Sequence, residues 1–324
     1  MRQARIKIRE TPAYYHVGNH VCGPIDSLPF TDDDKELGFY LLKKLSRLFL
    51  VEVISACWMG NHFHIVVYVP GVSPSLEEAV RRYNSYHKDN SAYHEMLDLS
   101  ENRDRCKEIA RKLIDVSEFM KAFQQQYTFI FNKRHRRKGP LWRNRFWSVL
   151  LEGPKALWDC VKYVELNPVR AGVVCDPGQY LYNSWGIYVQ TKRHPFTQTF
   201  ICHMRKNRLY ADFLKPWTFD DQALMSDFSD EMDAVIRRER MNEKSESMHQ
   251  PPSNIQEPLN FTIFLKELKQ WRCGQIIGSR DFVISTASRF RLCERFPNKR
   301  MGSGLTSAGN FLCCFHLGRV SPSR

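Results

Sequence analysis

The sequence is short of several things, and each shortage removes a class of protein. No uninterrupted apolar run approaches the roughly 20 residues needed to cross a bilayer, and no basic helix with a bulky apolar face dominates, so no membrane partner is expected. The N-terminal stretch Met1-Arg2-Gln3-Ala4-Arg5-Ile6-Lys7-Ile8-Arg9 is basic but has no long apolar core, and it does not read as a secretion signal. Ten cysteines are scattered without a Cys-x-x-Cys pair, which fits reduced thiols in the cytoplasm better than a disulfide framework. Cys313-Cys314-Phe315-His316 likewise lacks the second pair that a structural zinc site needs. Negative charge is the last deficit: 35 acidic residues against 48 basic ones leave a net charge of +13, which favours a polyanionic partner such as nucleic acid. The 324 residues exceed one typical domain, so a catalytic domain with an appended region is expected.

What is present centres on Cys57-Trp58-Met59-Gly60-Asn61-His62-Phe63-His64-Ile65-Val66-Val67-Tyr68-Val69. Its β-branched and aromatic residues predict a strand, and Gly60-Asn61 supplies a turn that makes it the second arm of a hairpin. Alternation sends Phe63, Ile65, Val67 and Val69 to one face and His62, His64, Val66 and Tyr68 to the other. Two imidazoles side by side on one face are able to hold a metal ion, although a strand histidine is more often a surface or satisfied core residue. A partner is found in Tyr163-Val164-Glu165-Leu166-Asn167-Pro168-Val169-Arg170-Ala171-Gly172, at the end of a helix that Pro154 opens and Leu157, Cys160, Val161 and Val164 space. Tyr163 and Asn167, four residues apart, share one helix face on the flank of the apolar stripe, where buried meets wet. Tyr127 is a competing phenol, but Phe131 four residues on has no metal-binding atom.

These motifs carry a family resemblance. His62-Phe63-His64 resembles the His-hydrophobic-His (HUH) motif of single-tyrosine transposases. With Gly139-Pro140-Leu141-Trp142-x-x-Arg145-Phe146 and Tyr163-x-x-x-Asn167-Pro168-Val169-Arg170-Ala171-Gly172 in order, the chain looks like the REP-associated tyrosine transposases over roughly residues 10 to 185. The resemblance implies an α+β fold, a ferredoxin-like antiparallel sheet with helices on one face. It implies Tyr163 as nucleophile, His62, His64 and Asn167 as ligands of Mg²⁺ or Mn²⁺, and cleavage and rejoining of single-stranded DNA beside palindromic hairpin repeats through a 5′-phosphotyrosine. The residues themselves do not exclude Zn²⁺. A non-catalytic hairpin DNA or RNA binder derived from such an enzyme is the alternative, and a nuclease in which Tyr163 is structural is a third reading.

Around these motifs, Ala13 to Val21 reads as a first strand whose His16 and His20 are candidates to approach DNA or the metal, although polar residues of a half-exposed face are the more common reading of such a pair. Thr31-Asp32-Asp33-Asp34 reads as the cap and acidic first turn of a helix to about Leu50, and Ser117 to Asn132 as a helix with Met120, Phe123, Tyr127 and Phe131 in the core. Residues 88 to 113 are a polar insertion whose end, Arg105 to Leu113, is helical. Lys133 to Trp147 contains no acidic residue and interleaves cations with aromatics. It suits single-stranded or hairpin DNA, with Arg134, Arg136, Arg137, Lys138, Arg143 and Arg145 gripping phosphates and Trp142 stacking on bases. Phe146 to Leu151 is a fourth strand. The catalytic domain is placed at 1–185 and a mainly helical extension at 186–324, with an acidic stretch from Asp220 to Asp233, a linker at 245–258, a helix from Leu259 to Cys273 and a poorly ordered tail from 297. One chain with one tyrosine is compatible with a monomer or a homodimer.

Overall fold

A computed structural model describes residues 5–24, 26–88, 94–196, 203, 225–237, 274–290, 301–305 and 311–316. Two compact units divide the chain, one spanning Lys7–Trp147 and the other Met1–Ile6 with Ser148–Arg324. Strands and helices are mixed in both, and the strand pairs are mostly antiparallel. Among the described residues no helix is long and apolar enough to cross a membrane.

The first unit is built on β1 (Ala13–His20), β2 (Glu52–Trp58) and β3 (His62–Val69), with β3 between the other two and antiparallel to both. The β2–β3 turn at Gly60-Asn61 closes with a hydrogen bond from Met59 N to the His62 carbonyl at 2.8 Å. On the apolar face of β3, Phe63, Ile65 and Val67 are wholly buried, as the period of two requires. That face is covered by α1 (Asp32–Leu45) and α4 (Val116–Arg134). Trp58, fully buried, is the hinge of the contact, with its ring 5.5 Å from Phe39 of α1, 5.8 Å from Phe123 of α4 and 5.3 Å from Phe63. Helix α1 starts where its capping box dictates: Thr31 accepts from Asp34 N and the Asp34 carboxylate accepts from Thr31 N. Tyr127 is fully buried, donates its hydroxyl to the Asp34 carbonyl at 2.9 Å, and has its phenol pushed well up by that burial and by Asp34. These contacts make Tyr127 part of the core packing.

The polar insertion is pinned rather than loose at its helical end. Asn84 of α2 (Leu76–His87) exchanges two hydrogen bonds with the Leu97 backbone, at 2.9 and 2.8 Å. Beyond it, α3 (Arg103–Lys112) buries Cys106 and Ala110, and Leu50 N bonds the Leu113 carbonyl at 2.8 Å.

The second unit holds β4 (Trp147–Leu151) from Ser148 on, α5 (Gly153–Glu165), α6 (Asn167–Arg170), a 3₁₀ turn at Pro177–Gln179, α7 (Ser184–Thr191), α8 over 225–237, β5 (Gly274–Gly278), α9 (Arg280–Arg289), β6 (Met301–Leu305) and β7 (Phe311–His316). Strand β4 pairs in parallel with β5, through Leu150↔Ile276 and Leu151↔Ile277, while the β1–β3, β2–β3, β5–β7 and β6–β7 pairs are antiparallel. To its described helices the extension adds the strands β5, β6 and β7. Residues after 297 include paired strands, β7 lying antiparallel to both β5 and β6; a six-residue run, Phe-Leu-Cys-Cys-Phe-His, needed only a partner strand to become one. The expected linker at 245–258 and helix at 259–273 lie outside the described residues, as do the side chains of Cys313, Cys314 and His316.

The segment read for its acidity becomes α8, which buries Phe228, Met232, Val235 and Ile236 at helical spacing. Phe228 meets Trp158 of α5 at 4.8 Å and Trp185 of α7 at 5.3 Å, while Glu231 accepts from Trp158 Nε1 at 2.9 Å and from Lys162 Nζ at 2.6 Å. Lys162, 6% exposed, also pairs with Asp159 at 3.0 Å. Burial pushes its ammonium pKa down, but Asp159 and Glu231 more than offset that and hold it above the ordinary value. The raised value means the pairing contributes fully below the ordinary lysine pKa and is lost as pH rises from there through the higher folded-state value. Glu231→Ala, which strips Lys162 of one carboxylate and Trp158 of its acceptor but leaves Asp159, is expected to lower stability by about 1–2 kcal/mol in urea unfolding.

Candidate active site

The histidine face of the first sheet is set by register. In the β1–β3 ladder His20 stands opposite His62 and Gly18 opposite His64, while His16 faces Val66. Four imidazoles therefore gather on one face. His62 and His64 lie 5.2 Å apart at 86°, His20 stacks on His62 at 4.5 Å, and His16 stacks on His64 at 5.1 Å. His16 Nε2 and His64 Nδ1 are hydrogen-bonded at 3.0 Å, and Asn61 Oδ1 accepts from His62 Nδ1 at 2.7 Å. His16 is wholly buried and His64 is 2% exposed, so the expectation that β1 presents a half-exposed polar face fails at His16. The reason is Trp147, whose ring lies edge-on to His16 at 4.6 Å and tilted against His64 at 5.5 Å.

Gly18 makes that placement possible. A Cβ there would stand 2.3 Å from Trp147 Cζ2 and 2.5 Å from the Phe63 carbonyl oxygen. An indole is able to swing away, but a backbone carbonyl of β3, paired on both sides, is not. Gly18→Ala is expected to destabilise the first unit by roughly 2–3 kcal/mol, and Trp147→Ala in the same chain to recover only the part owed to the indole, both measured by urea unfolding.

Because Nδ1 of both His62 and His64 is engaged, coordination of a cation by this pair would use Nε2 of each ring. Among the described residues no group of three or more His, Cys, Asp or Glu side chains is placed to hold a metal ion. The pair therefore fits a cation only with a third donor of another type, and a neutral carboxamide oxygen is one.

The basic loop is fastened to the end of the histidine strand. Trp142 bridges to Val21, Arg143 N donates to the His20 carbonyl at 2.9 Å, and Asn19 Nδ2 donates to the Asn144 carbonyl at 2.8 Å. Arg136, Lys138, Arg143 and Arg145 are exposed, and among the described residues Arg136, Lys138 and Arg143 have no ion pair. Three candidate contacts are otherwise engaged. Arg134 binds the wholly buried Asp34 carboxylate at 2.8 Å, beside His135 at 2.8 Å on its other oxygen. Arg137 reaches the Pro140 carbonyl at 3.1 Å and lies over the Phe131 ring. Trp142 packs against Phe63 at 5.2 Å, Tyr127 at 5.4 Å and Phe30 at 6.0 Å, with Nε1 on the Gln124 carbonyl at 3.4 Å; its aromatic neighbours make it half-buried core rather than an open stacking platform.

Tyr163 and Asn167 belong to the second unit. The expected single helix is two, α5 and α6, joined at Leu166, whose φ −81°, ψ 0° keeps the chain close to helical. Tyr163 is 2% exposed and Asn167 5%, which corrects the placement on a half-wet flank. Helix α5 is apolar on more than one side: Leu157, Trp158, Cys160, Val161 and Val164 are all buried, and such a helix is enclosed. The Arg170 guanidinium stands 4.3 Å over the Tyr163 ring and Nη1 donates to the Tyr163 carbonyl at 3.4 Å. Two buried donors here, Asn167 Nδ2 and Arg170 Nε, have no hydrogen-bond partner among the described residues.

No family model matches the sequence, and no curated protein matches it. A solved structure of a REP-associated tyrosine transposase bound to a REP hairpin is similar at a TM-score of 0.39 and 14% identity, over 59% of this chain and 86% of that one. At that distance the likeness assigns no activity. From sequence His16 is a candidate beside its reading as a plain polar strand residue, whereas Gly18, Asp34 and Trp147 carry no site role there; the pairing of β1 with β3 is what brings His16 and Gly18 to the histidine face.

Proposed function

We propose that this chain is a metal-dependent transposase of the HUH single-tyrosine kind, cutting and rejoining single-stranded DNA beside hairpin repeats. The observation that carries the reading is the His62–His64 pair, both Nδ1 atoms engaged, on a strand whose partner β1 ends against a loop of exposed cations. In this reading the sheet is the ferredoxin-like core of that family. Nε2 of His62 and of His64, with the Asn167 carboxamide oxygen, would hold Mg²⁺ or Mn²⁺, which supplies charge neutralisation at the non-bridging phosphate oxygens. Tyr163 gives up its phenolic proton and attacks phosphorus; the O–P bond forms, the P–O3′ bond breaks, and the 3′ oxygen leaves as a hydroxyl after taking a proton. The 5′-phosphotyrosine keeps the bond energy for attack by another 3′ hydroxyl. Arg136, Lys138, Arg143 and Arg145 hold the DNA backbone.

The burial of Tyr163 and Asn167 favours a second reading, a non-catalytic binder of hairpin DNA or RNA. Under the first reading, substrate must expose the tyrosine before it reacts. The test is incubation of the full chain with Mn²⁺ and a hairpin oligonucleotide carrying single-stranded flanks, followed by denaturing electrophoresis. A protein-linked strand is the expected result. Hairpin retention without any linked strand supports the second reading, and hydrolysed strands without linkage make the protein a nuclease.

A further inference from the structure

We infer that His135 is a proton-dependent phosphate contact of the basic loop: protonated, it grips the nucleic-acid backbone through Nδ1, and neutral, it loses that contact. The inference rests on the proposed binding of DNA by the 133–147 segment and adds a residue beyond the arginines and lysines assigned there. His135 Nε2 lies 2.8 Å from Asp34 Oδ2, and the Asp34 side chain is wholly buried. Which atom donates is fixed by the other partners of that carboxylate. Arg134 Nη1 donates to Oδ1 at 2.8 Å, while Thr31 N and Thr31 Oγ1 donate to Oδ2 at 3.0 and 2.8 Å. A carboxylate facing a guanidinium accepts and does not donate, so the proton of this bond belongs to His135 Nε2. The neutral ring then carries a lone pair at Nδ1 and has nothing to offer a phosphate oxygen there. Only the imidazolium, which donates from both nitrogens, makes that bond. The side chain is 29% exposed, and among the described residues Nδ1 is neither enclosed nor hydrogen-bonded.

The ring is held at a fixed helix end. His135 caps α4, where the last carbonyls make a favourable place for a cation. Arg136 follows in the left-handed region at φ 49°, and two hydrogen bonds close the turn: Arg136 N to the Lys133 carbonyl at 3.4 Å and Arg137 N to the Asn132 carbonyl at 2.9 Å. Asn132 Nδ2 donates to the Gly139 carbonyl at 2.9 Å, and the Phe131 ring lies 4.2 Å from the imidazole. Charged and titratable groups come to the dyad from both helices. On α1 they are Asp34 and, in the same turn, the exposed Asp32 and Asp33, with Asp32 paired to Lys35. On α4 and the loop they are Lys133, Arg134, Arg136, Arg137 and Lys138, and the Tyr127 hydroxyl donates to the Asp34 carbonyl. The run 133–138 therefore holds five permanent cations and one titratable one. The five repel a sixth positive charge, and an arriving phosphate offsets that repulsion. Protonation of His135 and binding of the backbone thus favour each other.

The experiment titrates the full chain, without divalent metal, with a hairpin oligonucleotide carrying single-stranded flanks, over a range of salt at about pH 6 and about pH 8, either side of the ordinary histidine value. The native chain is expected to bind about tenfold more tightly at the lower pH, with a slope of log affinity against log salt steeper by about one. Other histidines, His16, His20, His62 and His64 among them, also titrate in this range, so the result is read as a difference from His135→Gln. That variant keeps a donor for Asp34 and carries no charge at either pH. It should match the native chain at the higher pH and lose most of the gain at the lower one. His135→Arg, charged throughout, should show at the higher pH the steep slope that the native chain reaches only at the lower. Equal pH dependence in the native chain and His135→Gln would overturn the inference. So would an equal weakening by His135→Gln at both pH values, the mark of a ring that accepts from a base or only packs on Phe131. Should His135→Gln fail to fold, loss or persistence of the pH dependence in His135→Arg decides instead. A native chain that retains no hairpin at either pH refutes the DNA-binding reading and the inference together. One that retains the hairpin but forms no adduct with Mn²⁺ refutes strand transfer alone and leaves the role of His135 standing.

Discussion

Phenylalanine at position 163 is expected to abolish covalent capture of DNA while leaving the protein folded and still able to retain a hairpin. The substitution removes one oxygen and little volume, and the position is enclosed, so the ring is kept in place by what already surrounds it. The Arg170 guanidinium 4.3 Å over the ring is held by the π-face, which phenylalanine also offers. What disappears is the only atom of the residue able to attack phosphorus. Removing the nucleophile from a covalent mechanism costs on the order of 10⁴-fold or more, which on a denaturing gel is no visible adduct. In the proposed reading hairpin retention rests on the cations of the 133–147 segment, which belongs to the other unit, and it is expected to be unchanged in a filter-binding titration. An adduct of equal yield would remove Tyr163 from the chemistry. The natural control is Tyr127→Phe: its hydroxyl donates to the Asp34 carbonyl in the core, so that variant should lose about 1 kcal/mol of stability and none of its adduct per folded molecule.

The features legible in the sequence are those that short-range rules govern. The alternation of β3 follows from a period of two, and Phe63, Ile65 and Val67 are buried where the pattern puts them. The Thr31–Asp34 box opens α1 at the residue its hydrogen bonds dictate. What could not be read depends on pairing between distant segments. His16 meets His64 only because β1 runs antiparallel to β3 in one particular register, and a one-residue slip would send His16 to the other face. Trp142 sits among cations and looks like a stacking surface, yet Phe30, Phe63 and Tyr127, from three separate elements, surround it. Part of the enclosure of α5 follows from the same cause: Trp158 and Lys162 are taken up by α8, some 70 residues on, in a stretch whose acidic side chains masked an apolar stripe. The strands of the tail are invisible alone because a strand is completed by its partner, and β7 finds two.

Asp34 carries more of the first unit than its place in a capping box suggests, and its removal is the largest expected loss of stability. Its side chain is wholly buried, and its oxygens accept from Thr31 N at 3.0 Å, Thr31 Oγ1 at 2.8 Å, Arg134 Nη1 at 2.8 Å and His135 Nε2 at 2.8 Å. The start of α1 and the end of α4 are therefore joined through one carboxylate. Asp34→Ala loses the reciprocal half of the capping box, worth about 1 kcal/mol, and leaves Arg134 without its counter-charge and His135 without its acceptor; since Arg134 is 37% exposed, water recovers part of that loss and the total is expected near 3 kcal/mol in urea unfolding. Asp34→Asn keeps an acceptor for Thr31 and should lose about half as much. The effect on DNA discriminates more sharply. With Asp34 intact, Arg134 is spent on the carboxylate and adds little to phosphate binding; freed, it becomes one more available cation beside Arg136 and Lys138. The slope of log affinity against log salt for a hairpin oligonucleotide should then steepen by about one in Asp34→Ala relative to the native chain. An unchanged slope would mean that Arg134 already grips phosphate while paired, and that the carboxylate orients the arginine toward DNA instead of withholding it.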